Sequence, residues 1–147
     1  MKAPSRVIDV LIDGTRLLDL VREAELPYAL EEQREREAEF APGPAPLLAG
    51  DYMCLPSSYG WPSRHFLGEP EERPWFCRDD GETVLLICTC GDEGCWALTA
   101  RIEVEETAVR WSGFRNNHRD WDLSALGRFT FSRPLYEQAL RRTARSN

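Results

Sequence analysis

Val84-Leu85-Leu86-Ile87-Cys88-Thr89-Cys90-Gly91-Asp92-Glu93-Gly94-Cys95-Trp96-Ala97-Leu98-Thr99-Ala100-Arg101-Ile102-Glu103-Val104 is the stretch on which the reading of this chain turns. An apolar run enters it, and an alternating segment leaves it. Between them, three of the chain's five cysteines fall within eight residues, around a turn with a glycine at each end. That pattern predicts a β-hairpin with thiols at its tip. A four-residue turn over Gly91 to Gly94 sets Cys90 opposite Cys95, then pairs Cys88 with Ala97, Leu86 with Thr99 and Val84 with Arg101. Side chains alternate along a strand, so the other face carries Ile87 with Leu98, Leu85 with Ala100 and Thr89 with Trp96.

Working outward, Trp75 to Arg78 and Thr83 to Cys90 flank the turn Asp79-Asp80-Gly81-Glu82. The segment from Thr107 to Phe114 continues the meander beyond a tight Glu105-Glu106 turn. That turn pairs Ile102 with Val109 and Ala100 with Trp111 on the apolar face. It sets Arg101 against Arg110, beside Thr99 and Ser112, on the cysteine face. Opposed arginines call for a shared anion: Glu103, another carboxylate or a bound ligand. Phe129-Thr130-Phe131 reads as a short strand. Ser132 is a good N-cap, Pro134 suits a first helical turn, and a helix over 132–145 follows.

Toward the N-terminus, Asp13-Gly14-Thr15 lies between the apolar segments Val7 to Ile12 and Arg16 to Val21, which reads as a hairpin over 7–21. A three-residue loop would pair Ile8 with Leu20 and Val10 with Leu18. It would also oppose Asp9 to Asp19, either as a solvated edge or as a carboxylate pair for acid–base work. Residues 28–40 are rich in charge and predict a solvated helix or a mobile segment. Residues 41–74 carry repeated Pro and Gly among aromatics and read as a long ordered loop. The order of elements predicts a single α+β domain, 1–147, on an antiparallel sheet with helix cover. Its core should include Ile8, Val10, Leu18, Leu85, Ile87, Trp96, Leu98, Ile102, Val109, Trp111, Phe129, Leu135 and Leu140.

The composition bounds function. Five Trp, six Phe and four Tyr in 147 residues, with 42% hydrophobic residues, are enough for a real core. A net charge of −7 argues against nucleic acid as a partner, because phosphate neutralisation needs a cationic surplus. No apolar window reaches the roughly 18 residues of a membrane span, and the first residues carry no secretory pattern, so a cytoplasmic protein with reduced thiols is expected.

Zinc takes four Cys or His ligands in tetrahedral array. Cys88, Cys90 and Cys95 can supply three, and alternation along the third strand brings His118 to the same end as the fourth. Cys77, six residues back along its strand from the tip, is about 20 Å away and cannot join. Cys54 and His65 fall in the long loop and have no assigned place. Three readings of the thiols stay open: metal, redox exchange, or small space-filling side chains. No nucleophile elbow, phosphate loop, dinucleotide fingerprint or H-E-x-x-H is present.

Leu85-Leu86-Ile87-Cys88-Thr89-Cys90-Gly91, Gly94-Cys95-Trp96-Ala97-Leu98-Thr99-Ala100-Arg101-Ile102 and Val109-x-Trp111 resemble a group of small bacterial proteins of uncharacterised function. Leu126-Gly127-x-Phe129-x-Phe131-x-Arg133-x-x-Tyr136-x-x-Ala139-Leu140 resembles their C-terminal block. The resemblance covers about the second half of the chain and implies a bacterial protein. It carries no activity.

The sequence therefore favours a non-catalytic binding or protein-interaction domain, immunity-like or regulatory, with a protein partner and Arg101, Arg110 and Glu103 on the partner surface. Self-association is left open. The alternative is a small zinc- or thiol-dependent enzyme or redox protein using Cys88, Cys90, Cys95 and His118. No cofactor is expected under the first reading, and zinc is the candidate under the second.

Overall fold

A computed structural model describes residues 7–78, 81–92 and 94–144. Asp79 and Asp80 of the expected turn, Glu93 of the cysteine loop and Arg145 lie outside the described residues, and the C-terminal helix expected over 132–145 ends earlier, at Arg142. The chain is an α+β domain. Its elements are β1 (Val7–Ile8), β2 (Leu11–Ile12), β3 (Thr15–Arg16), α1 (Leu17–Glu35), β4 (Met53–Pro56), β5 (Glu82–Ile87), β6 (Ala97–Val104), β7 (Ala108–Asn116), β8 (Phe129–Ser132) and α2 (Arg133–Arg142). Six of the strands form one curled antiparallel sheet in the order β1-β4-β5-β6-β7-β8. No described helix is long and apolar enough to cross a membrane.

Every residue of β5 is buried, so this strand is covered on both faces. β6 and β7 bury Ala97, Leu98, Thr99, Ala100, Ile102, Val109 and Trp111. Trp111 packs edge-on against Phe131 and Tyr136, and its Nε1 donates to Tyr136 Oη at 3.2 Å. Leu140 of α2 is buried against this cluster. Leu135 is not part of the core: it is 65% exposed. The helix phase turns Tyr136 and Leu140, four residues apart, toward the sheet and leaves Leu135 at the rim. Ile8, Val10, Leu18 and Phe129 pack against the core while half-buried.

The N-terminal hairpin is far shorter than 7–21. Asp13 and Gly14 both have positive φ, 51° and 84°, as a two-residue turn of the primed kind requires. That turn pairs Ile12 with Thr15 and Leu11 with Arg16. The chain then enters α1 at Leu17, while Val7 and Ile8 pair with Pro56 and Leu55 instead. Asp9 consequently meets Arg16, at 3.1 Å, rather than Asp19. Leu17, Val21, Glu25 and Ala29 form the buried stripe of α1 at four-residue spacing. This helix takes in the first part of the charged segment and ends at Glu35, followed by a 3₁₀ turn over Glu37–Phe40. The Pro-rich stretch is not all loop, since it contributes β4 to the sheet. Residues 75–78 are not a strand; there the Arg78 amide donates to Glu82 Oε1 at 2.8 Å.

Glu82 begins β5 and is 3% exposed. Its carboxylate accepts from Arg115 Nε and Nη2 at 2.5 and 2.7 Å, and from the Thr99 hydroxyl at 3.0 Å. Burial pushes this carboxyl up, but the Arg115 guanidinium, the Arg78 amide and the Thr99 hydroxyl together bring it below its ordinary value. The pair thus ties β5 to β7 across β6. Removing one partner of such a buried pair strands the other's charge. Arg115→Met should destabilise the protein by about 3 kcal/mol, read as a lower urea midpoint with an unchanged m-value.

Candidate metal centre

β5 ends at Ile87 and β6 begins at Ala97, and these two residues are paired. The intervening nine residues are therefore not a tight hairpin turn. A register irregularity between Val84 and Leu86 shifts the ladder, so that Leu86 faces Leu98 and Val84 faces Thr99. Cys90 and Cys95 are not opposed across strand rungs, and Cys88 does not pair with Ala97. The loop instead folds back on itself. The Gly91 amide donates to the Cys88 carbonyl at 2.8 Å, with Gly91 at φ 89°. The Cys95 amide donates to the Asp92 carbonyl at 3.2 Å, and the Gly94 amide to Asp92 Oδ1 at 2.9 Å.

These turns bring the sulfurs of Cys88, Cys90 and Cys95 within 4.8 Å of one another. Cys88 is half-buried, and Cys90 and Cys95 are exposed. The Cys90 amide points at Cys88 Sγ, 3.5 Å away. That amide and the neighbouring thiols hold the Cys88 thiol below its ordinary value. Cys95 is pushed the other way, up to about 11, because Cys88 and Cys90 share hydrogen bonds with it. Hydrogen bonds within the cluster thus shift Cys88 and Cys95 in opposite directions. Cys54, which is buried, and Cys77, half-buried, stand outside this group.

His118 lies beside the loop. Its Nε2 is 3.0 Å from the Gly94 carbonyl oxygen, so this nitrogen carries the proton and donates. The ring stacks on Trp96 with centroids 6.4 Å apart and planes 18° apart. Among the described residues, neither His118 nor any carboxylate joins the three sulfurs inside the 4.8 Å radius.

The other expected site residues are elsewhere. β6 and β7 pair Glu103 with Arg110 and Arg101 with Ser112, so the two arginines are not opposed. The Glu105–Glu106 turn is wider than two residues, since Glu105 N bonds the Ala108 carbonyl, and this slides the ladder by two. Arg101 sits 3.7 Å from Glu103, and Arg110 pairs with Glu105. From Ala97, where the thiol loop ends, Arg101 is about 13 Å along β6.

The residues that anchor the loop were not singled out by the sequence pattern. Asn117 Oδ1 accepts from the Ala97 amide at 2.8 Å, and the Asn117 amide donates to the Ala97 carbonyl at 3.1 Å. Asn116 Oδ1 accepts from the His118 amide at 2.7 Å, while its Nδ2 donates to Tyr52 Oη at 2.8 Å. Tyr52 in turn donates to Glu25 Oε2 at 2.5 Å, and the Gly50 amide donates to Oε1 at 2.9 Å. A buried chain of hydrogen bonds thus runs from α1 to the turn carrying His118. The signals for it were an acidic residue within the apolar stripe of α1 and the Asn116-Asn117-His118 triplet after a strand.

No protein-family model, curated protein or solved structure matches this chain.

Two outcomes are expected. Glu25 is fully buried, and desolvation raises its carboxyl from 4.5 to about 7 against the Tyr52 and Gly50 hydrogen bonds. Between these values the folded state holds a proton that the unfolded state releases. Stability should therefore fall as pH rises from 4.5 to 7, by about 3 kcal/mol, and be flat above. Subtracting the Glu25→Gln stability profile from the wild type should isolate that slope. In the metal-free protein, Cys95 should alkylate with an apparent pKa of about 11. Cys88→Ser should return it toward the ordinary thiol range, as read by mass spectrometry of pH-jump alkylation.

Proposed function

We propose that this chain is a small metal-binding protein whose centre is the thiolate set Cys88, Cys90 and Cys95. The observation that carries the reading is the mutual approach of the three sulfurs within 4.8 Å. Tetrahedral ligands at a Zn–S length of about 2.3 Å stand roughly 3.8 Å apart, so small side-chain adjustments would close the set on one ion. Space-filling does not account for Cys90 and Cys95, which are exposed and pack no core. Zinc is the favoured ion, in a bacterial cytoplasmic setting where the thiols stay reduced.

Elemental analysis of the purified protein tests this. One zinc per chain is expected, with complete loss in Cys90→Ser. A metal-free protein that forms a disulfide between Cys90 and Cys95 on mild oxidation would instead support thiol redox chemistry.

A protein-interaction role is the second reading, and a groove of about 500 Å³ favours it. It runs between residues 8–13 and the β8–α2 corner, with Phe66, Trp111 and Tyr136 in its lining. Leu11 and Leu135 on its lining are 60% and 65% exposed. Metal-free protein with no thiol reactivity beyond that of free cysteine would leave this groove as the functional surface.

A further inference from the structure

We propose that the metal held by Cys88, Cys90 and Cys95 keeps one coordination position open to a small exchangeable ligand from solution, and that His118 clamps the loop instead of filling that position. The inference rests on the metal-binding reading above and goes beyond it to the kind of site.

Structural zinc sites are closed by four protein ligands, whereas sites that exchange ligands keep three. Among the described residues, each nearby candidate for a fourth ligand stands outside the 4.8 Å group of the three sulfurs. His118 Nε2 donates to the Gly94 carbonyl, one residue before Cys95, and neither its Nε2 nor its Nδ1 is in the group with the three sulfurs. Its ring plane is set by stacking on Trp96, and its backbone amide by Asn116 Oδ1. Asp92 Oδ1 accepts the Gly94 amide, and neither of its carboxylate oxygens is in the group with the three sulfurs. Asp51 is likewise not in the group with the three sulfurs. Cys90 and Cys95 are exposed, so the outer side of the centre faces solvent.

The clamp has a consequence of its own. His118 fixes Gly94, and the Gly94 and Cys95 amides are both bonded to Asp92. The imidazole thereby positions Cys95 relative to Cys88 and Cys90 without touching the ion. Outer groups of this kind typically change metal affinity by 10- to 100-fold when removed.

Cobalt(II) provides the test, because its d–d bands report the ligand set. The full chain, reduced with a phosphine, is loaded with one equivalent of cobalt(II). Wild type, Asp51→Asn, Asp92→Asn, Glu93→Gln and His118→Ala should share one band position. Imidazole added to the loaded wild type should shift that band saturably. His118→Ala should weaken cobalt binding about tenfold, and His118→Gln, which retains an N–H donor for the Gly94 carbonyl, should restore it. A changed band position in any of the four variants would show that the chain fills the fourth position and overturn the inference. So would a wild-type spectrum that imidazole leaves unmoved. Cobalt bound by the three thiolates with either of these results would leave the metal-binding reading standing. Failure of the wild type to bind cobalt at all would overturn both.

Discussion

The pairing of β6 with both of its neighbours at one end is the constraint on which the site depends. Ile87 of β5 is held against Ala97, and Asn116 of β7 against Leu98. Those two rungs fix the ends of three strands side by side. The chain leaving β5 must return to β6 within nine residues, and the chain leaving β7 must turn beside it. The cysteine loop and the Asn116-Asn117-His118 turn are therefore neighbours by construction. The deep burial of β5 and the Glu82–Arg115 pair at its other end keep that register from sliding.

The second support comes from α1. Glu25 is buried in the helix stripe where an apolar residue would pack more simply, and Tyr52, Asn116 and the Gly50 amide satisfy it. Gly50 has φ +63°, and a Cβ there would stand 2.6 Å from Arg22 Cβ. The close approach of the 50–52 segment to the helix thus requires glycine. This polar chain links helix packing to the turn that carries His118. Fully satisfied networks of this type specify one arrangement of their partners, while a broken member is costly.

Much of the sheet was legible because β-branched and apolar runs with period two leave little freedom. The meander through β5, β6, β7 and β8 and the helix after Ser132 follow from those patterns. The helix α1 was harder to see. Leu18 and Leu20 alternate like a strand, while Glu25 interrupts the apolar stripe and Pro27 lies inside the helix. The helical spacing Leu17, Val21 and Ala24 is nonetheless present. The register was misread by one residue beside the thiols, where a nine-residue loop replaces the four-residue turn, and by two beyond the irregularity at Val84 and Leu86, which has no sequence marker. The sulfurs meet through loop hydrogen bonds to Cys88, Asp92 and Gly94, which strand parity does not describe. The role of Asn116 and Asn117 depends on contacts distant in sequence, to Tyr52 and Ala97.

X-ray absorption at the zinc edge of the purified protein addresses the central claim most directly. The account predicts three sulfur scatterers at about 2.3 Å and one light oxygen or nitrogen scatterer near 2.0 Å. A first shell made only of light atoms would contradict it, since the three thiolates would then not be the ligands.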